Sequence, residues 1–320
     1  MNKKYLPLAA TILVFVALFV VGGTMYRNFL STAVLGNILA DNAFIIIAAL
    51  GATFVILSGG IDLSIGSMIG FVGVSMAVLD TMGWHPLATA ALMICFGIAF
   101  GAMQGYIIDF CQIQPFIVTL AGLFLLRGAC FMVTLESVPI RNDFVDFYAS
   151  LRIPLPGRGV LRSSAIVMLI SLAVAMFIAH FTRFGTNVYA IGGDKESARL
   201  MGVNIRKTTV MVYALGGFYS ALAGVVYALY TSSGYPLAGN TLELSAIAAV
   251  VLGGTLLTGG VGMVAGTLFG GMILGLISTL IIFNGSLNSA WIMISSGILL
   301  FLFIVLHRFL VSTFGLRGTS

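Results

Sequence analysis

Residues 57–67 read LSGGIDLSIGS, and residues 257–267 read LTGGVGMVAGT. At an offset of 200 residues both carry Leu, Ser/Thr, Gly, Gly, Ile/Val and a later Gly-Ser/Thr pair, but the carboxylate Asp62 occurs only in the first. The likeness extends upstream, where Ile47-Ala48-Ala49 matches Ile247-Ala248-Ala249. Each copy interrupts apolar sequence with residues that favour turns and close backbone contact. The turn residues are Ser58, Gly59, Gly60, Asp62 and Ser64 in the first copy, and Gly259, Gly260 and Gly262 in the second.

Composition sets the solvent of the surrounding chain. Hydrophobic residues make up 60% of the 320 and charged residues 8%, whereas a soluble domain carries about 25% charged. Lipid is therefore the medium. The basic excess of 15 Lys+Arg over 10 Asp+Glu reads as membrane flanks rather than a nucleic-acid patch. Cys95, Cys111 and Cys130 show no metal or CxxC spacing and read as packing residues. The apolar run from Leu6 is too long for a signal-peptide core and counts as a retained helix.

A spanning helix needs about 20 apolar residues. That template predicts ten spans, near 6–25, 38–57, 64–83, 87–108, 116–135, 161–181, 209–231, 245–260, 264–284 and 290–311, within a single transmembrane domain covering 1–320. None shows the apolar/polar alternation of a membrane barrel. With the N-terminus inside, Lys3, Lys4, Arg308, Arg317 and the basic loop 182–208 share the inner side. Nine Lys/Arg then lie inside against five outside (Arg27, Arg141, Arg152, Arg158 and Arg162), with Arg127 inside a span, as the positive-inside rule requires. Both termini are thus expected to be cytoplasmic. The expected fold is all-α and polytopic, and an even shift of six spans makes the two Gly-rich segments parallel repeats.

Polar residues in such a chain carry the functional questions. Asp62 has two readings: a capping acid in a cytoplasmic turn, with Asp62 or Ser64 capping the third span, or an acid at a helix break on a solute or ion path. The second copy keeps the glycines and drops the acid, so the turn is read as structural. Arg127, midway along the fifth span, must face protein or water, and Asp41 and Asp109 are its candidate partners. Asn42, Gln104 and Asn284 read as hydrogen-bonding glue between helices, with a pathway role as the alternative. The outer loop 136–160 is rich in Pro and Gly. In the inner loop, GGDKESARLMGVNIRK predicts a short helix capped by Asp194, running through Lys195–Met201 and ended by Gly202. That helix is either a solvated linker or a rigid peg against which a partner pushes.

Several function classes lack their parts. No Lys sits in a phosphate-binding GxxxxGK[ST] loop, and Lys207, which precedes Thr208, has no glycine directly before it. No series of membrane carboxylates suggests a proton relay, no His, Cys, Asp or Glu cluster has metal-ligand spacing, and no catalytic triad assembles. A permease with neither motor nor relay is most simply driven from outside.

Four blocks identify a family resemblance. LSGGIDLSIGS (57–67), TLAGLFLLRG (119–128), RFGTNVYAIGGDKESARLMGV (183–203) and AIAAVVLGGTLLTGGVGMVAGTLFG (246–270) resemble the permeases of bacterial monosaccharide ABC importers. Within that family, 40–64, 127–140 and 230–248 look most like the galactofuranose permeases. The resemblance implies a non-catalytic, multi-pass subunit of the bacterial inner membrane, with no cofactor of its own. It pairs with a second permease as a homo- or heterodimer, with a cytoplasmic ABC ATPase that carries ATP and Mg, and with a periplasmic sugar-binding protein. It also implies that Asp194, Lys195, Glu196, Ser197, Ala198, Arg199, Leu200, Met201 and Gly202 form the ATPase-coupling segment. Outer-loop acids Glu136, Asp143, Asp146 and Glu243 then receive the binding protein. The rival class is an ATP-independent secondary transporter or channel, for which Asp62 and Arg127 are the only raw material.

Overall fold

In the computed structural model, residues 6–285 are described continuously, followed by 290–292, 294, 295, 297, 298, 301, 302 and 305. The expected tenth run, 290–311, lies largely outside the described residues. The chain is mostly helical: α1 (Leu6–Met25), α2 (Thr32–Asp41), α3 (Ala43–Leu57), α4 (Ile65–Thr81), α5 (Pro86–Phe110) and α6 (Pro115–Val133) lead to strand β1 (Val138–Pro139). Helix α7 (Asp143–Ser150) and strands β2 (Arg152–Pro154) and β3 (Val160–Arg162) follow. The second half holds α8 (Ser163–Phe181), α9 (Arg183–Gly193), α10 (Lys195–Leu200), α11 (Ile205–Thr231), β4 (Ser233–Gly234), α12 (Leu242–Leu252) and α13 (Val264–Asn284).

Among the described residues six helices are long and apolar enough to cross a membrane, or seven if α2 and α3 form one bent span. Two expected spans are corrected. The run 38–57 is not one straight helix but bends by 58° at Asn42. There the Asn42 side chain donates to the Ile38 carbonyl at 2.8 Å, closing the last turn of α2. The run 245–260 gives only the 11-residue α12, because Gly254, Gly259, Gly260 and Gly262 all take positive φ, which no right-handed helix accommodates. The open end of α12 is closed from another helix: Thr11 on α1 donates to the Leu252 carbonyl at 2.7 Å. At 17 residues α4 is also short of the about 20 a span needs.

Helix α11 runs through the centre, packed on α5, α3 and α4. Its contact with α5 is backbone to backbone, because Gly97, Gly101 and Gly105 recur every fourth residue. A β-carbon on Gly101 would lie 2.1 Å from the Tyr213 carbonyl oxygen, and one on Gly217 would lie 2.0 Å from that of Gly97. Without hydrophobic drive between helices in lipid, such close approach is what holds a pair together. A second seam is polar: the hydroxyls of Thr53 on α3 and Thr267 on α13 are 2.7 Å apart and buried.

The bundle has two distinct ends. Helix α8 carries the chain from the β2–β3 hairpin to α9 over 19 residues, about 28 Å of helix rise. One end therefore holds α7 and the two small antiparallel sheets, in which Val138 pairs with Gly234 and Ile153 with Leu161. The other holds α9 and α10.

Candidate functional site

The Gly-rich turns and the α9–α10 joint meet at that second end. The Gly260 N–H donates to the Leu57 carbonyl at 2.9 Å. A β-carbon on Gly259 would lie 2.8 Å from the Gly59 nitrogen, and one on Gly192 would lie 1.7 Å from the Leu57 oxygen and 2.5 Å from the Gly260 nitrogen. Three glycine pairs, 59–60, 192–193 and 259–260, thus form one backbone junction. Gly260 needs glycine twice over, for its φ of +73° and for the closeness of Gly193. The two turns were legible as glycine-rich, but their contact with Gly192 was not, because nothing in a sequence pairs Gly192 with Leu57 and Gly260, 135 and 68 positions away.

From this junction α10 projects outward. Asp194 is its N-cap: the carboxylate accepts from the Ser197 N–H at 2.6 Å. The Ser197 hydroxyl and N–H together hold the Asp194 carboxyl below its ordinary value of 3.8. The helix ends in a Schellman turn, with Val203 N–H bonded to the Ala198 carbonyl and Gly202 N–H to that of Arg199, both at 3.0 Å. Gly202 supplies the required φ of +86°. Ala198 anchors the inner face against Ile191 and Ile205. Leu200 and Met201 stand 88% and 71% exposed at the tip, beside an exposed Glu196–Arg199 pair at 3.6 Å. Such bare apolar side chains on a helix fixed at both ends suit a protein partner.

Asp62 lies inside the bundle, 5% exposed, in the non-helical stretch between α3 and α4 rather than on an open turn. Its carboxylate accepts the Ser64 N–H at 2.8 Å and the Ser64 hydroxyl at 2.6 Å. This corrects the expected cap: Ser64 occupies the N-cap of α4 without a side-chain bond to the helix, and its hydroxyl is spent on Asp62. Gln104 on α5 extends the chain, its amide donating to the Ser64 hydroxyl at 3.2 Å. Gly122 on α6 leaves the space, since a β-carbon there would meet the Gln104 amide nitrogen at 2.2 Å. Tyr213, absent from the expected set, closes over the turn with its hydroxyl 3.4 Å from the Ile61 carbonyl.

Arg127 pairs with neither expected acid. Its guanidinium donates to the carbonyls of Pro236 and Ala238 at 2.7 and 2.8 Å, tying α6 to the loop before α12. Asp41 instead accepts from the Tyr230 hydroxyl at 2.9 Å, and Asp109 binds Arg206 at 3.1 Å. Backbone carbonyls satisfy a membrane arginine as acids do. Asn42 serves its own helix rather than a neighbour, whereas Asn284 does reach across, 3.4 Å from the Tyr26 hydroxyl. At the α7 end Glu136, Asp143 and Asp146 are exposed. Glu243 is half-buried and turned inward, with one carboxylate oxygen buried against α4 at Gly66. Among the described residues no group of His, Cys, Asp and Glu has the geometry of a metal site.

Residues 34–304 match the family described as the permease component of the branched-chain amino acid transport system. The chain is 50% identical to the inner membrane ABC transporter permease protein YjfF of Escherichia coli K12, across 100% of this chain and 97% of the relative. It is 37% identical to the ribose import permease protein RbsC of the same strain, across 87% and 86%. The fructose import permease protein FruG of Bifidobacterium longum is 31% identical, across 98% and 94%. No solved structure matches the chain. These relatives are transport components rather than enzymes.

Proposed function

Because this chain belongs to the branched-chain amino acid transport system permease-component family, a family of multi-pass, non-catalytic ABC permeases that includes sugar importers, we propose that it forms the membrane pathway of an ATP-driven bacterial monosaccharide importer. Galactofuranose is the proposed sugar, on the local resemblance of 40–64, 127–140 and 230–248. The observation that carries the reading is α10, capped at both ends, bare at Leu200 and Met201, and rooted in the glycine junction.

In this reading the α10 end faces the cytoplasm, as the basic loop 182–208 supports. Both termini lie on that side, and the two glycine turns are parallel repeats. A cytoplasmic ATPase, which holds ATP and Mg, grips α10. A short rigid helix transmits displacement better than a flexible loop, and Gly192 lies directly on the Leu57 carbonyl and the Gly260 nitrogen. Movement of α10 on ATP-driven closure therefore reaches the α3–α4 and α12–α13 turns together. A second permease, identical or not, completes the pathway. A periplasmic binding protein docks at the α7 end, where Glu136, Asp143 and Asp146 are exposed, and supplies most of the sugar selectivity.

The test is uptake of radiolabelled galactofuranose by vesicles containing this chain with its ATPase, partner permease and binding protein. ATP-dependent uptake that excess ribose does not suppress supports both importer and sugar. ATP-dependent uptake that ribose suppresses keeps the importer and removes the sugar. Uptake without ATP or partners replaces the reading with an autonomous carrier.

A further inference from the structure

At the α7 end a cleft of about 410 Å³ opens between the starts of α2 and α8, the end of α11 and the β2–β3 hairpin. Arg152, Arg158 and Arg162 all line it, together with Asn37, Tyr148 and Ser163. Three of the five basic residues assigned to that side thus converge on one cleft, against the general depletion of Lys and Arg there. Among the described residues none of the three is in an ion pair. Asp41 stands near by but is bound to the Tyr230 hydroxyl.

A further observation points to an anion as the ligand. Helix α8 begins at the cleft, and its N-cap residue, Arg162, gives no side-chain bond to the first-turn N–H groups. The positive end of a 19-residue helix therefore adds to the guanidinium charge. Tyr148, 8% exposed, closes the cleft wall with its hydroxyl beside Ser163.

We propose that this cleft binds a phosphate group, namely that of an anionic phospholipid headgroup in the adjoining leaflet. Guanidinium forks match phosphate oxygens in pairs, and a helix N-terminus supplies further donors. Position selects the lipid over an acidic protein loop. The cleft sits at the ends of membrane helices, where headgroups lie. Below it α8 presents Ile170, Val174 and Phe177, 60%, 45% and 59% exposed, as a strip along which acyl chains lie. Beside the arginines Phe147, Leu151 and Ile153 are also exposed, the mixture of apolar and basic side chains that seats a segment in a membrane interface.

The experiment is native mass spectrometry of the full-length permease released from nanodiscs of equal phosphatidylglycerol and phosphatidylcholine. Wild type is expected to retain phosphatidylglycerol on the order of tenfold over phosphatidylcholine. The triple variant Arg152→Gln, Arg158→Gln, Arg162→Gln should lose that preference. Arg162→Gln alone, at the exposed start of α8, should weaken it with an unchanged melting temperature, and it decides the matter if the triple variant fails to fold. Equal retention by wild type and variants overturns the site. Variant-sensitive binding of added inorganic phosphate without lipid preference overturns the lipid assignment in favour of a free anion. Loss of binding-protein docking with lipid retention intact overturns it in favour of an acidic protein surface.

Discussion

Gly192 lies directly on the carbonyl of Leu57, the same carbonyl that accepts the Gly260 N–H at 2.9 Å. The root of α10 and both glycine turns therefore meet at a single peptide group, and in the proposed importer that meeting point is the link between α10 and the helices of the bundle.

Gly192→Ala should break this link. Its β-carbon would lie 1.7 Å from the Leu57 oxygen, whereas a β-carbon on Gly193 meets nothing within 4 Å. Overpacking of this kind costs about 1–3 kcal/mol or more. Gly192→Ala is expected to lower the melting temperature and abolish uptake, with Gly193→Ala close to wild type. Equal behaviour of the two variants in a thermal melt would remove the junction from the mechanism.

The Asp62–Ser64 turn should tolerate an amide better than a methyl. Asp62→Asn keeps an acceptor for the Ser64 N–H and hydroxyl, whereas Asp62→Ala leaves the Ser64 N–H unpaired and the hydroxyl with Gln104 alone, at a cost of about 1–3 kcal/mol. The expected order of thermal stability is wild type, then Asn, then Ala, with sugar competition profiles unchanged. A shifted profile in the Asn variant would place Asp62 on the solute path.

Arg127→Met should destabilise the loop before α12, since the Pro236 and Ala238 carbonyls lose a charged donor, worth about 1.5–3 kcal/mol per bond. Neutralising Asp41 or Asp109 in the same chain should not rescue it. Protease accessibility of residues 235–241 reads the effect directly, and rescue by either acid variant would restore the ion-pair reading.

Leu200→Glu with Met201→Glu should leave the permease inserted and melting normally, because both side chains are already solvent-facing, and should cut ATP-stimulated uptake at least tenfold if α10 docks through them. The cap beneath them adds a pH expectation. The folded Asp194 value is depressed below 3.8, so the cap's contribution is complete above 3.8 and lost only as pH falls through the lower folded value. Asp194 should therefore add no titration to uptake between about pH 5 and 8. An Asp194-dependent midpoint in that range would contradict the cap geometry.

What the sequence determined follows from local rules. Apolar runs with no charge to hydrate made the chain a membrane protein. Asp194, Ser197 and Gly202 specified α10, because a cap and a left-handed stop act within one turn. The glycines announced two turns for the same reason. What the sequence left open depended on distance. The runs 38–57 and 245–260 are apolar enough to pass for spans despite Asp41-Asn42 in one and the glycines in the other, and only the Ile38 bond and the Thr11 hydroxyl on a remote helix show how the bend at Asn42 and the early end of α12 are satisfied. Arg127 had to meet some acceptor, but in a membrane interior a backbone carbonyl serves as well as an acid, and only the tertiary path of residues 236–238 selected it. The glycine junction was settled by packing alone: a residue without a side chain carries no sign of its partner until two backbones meet.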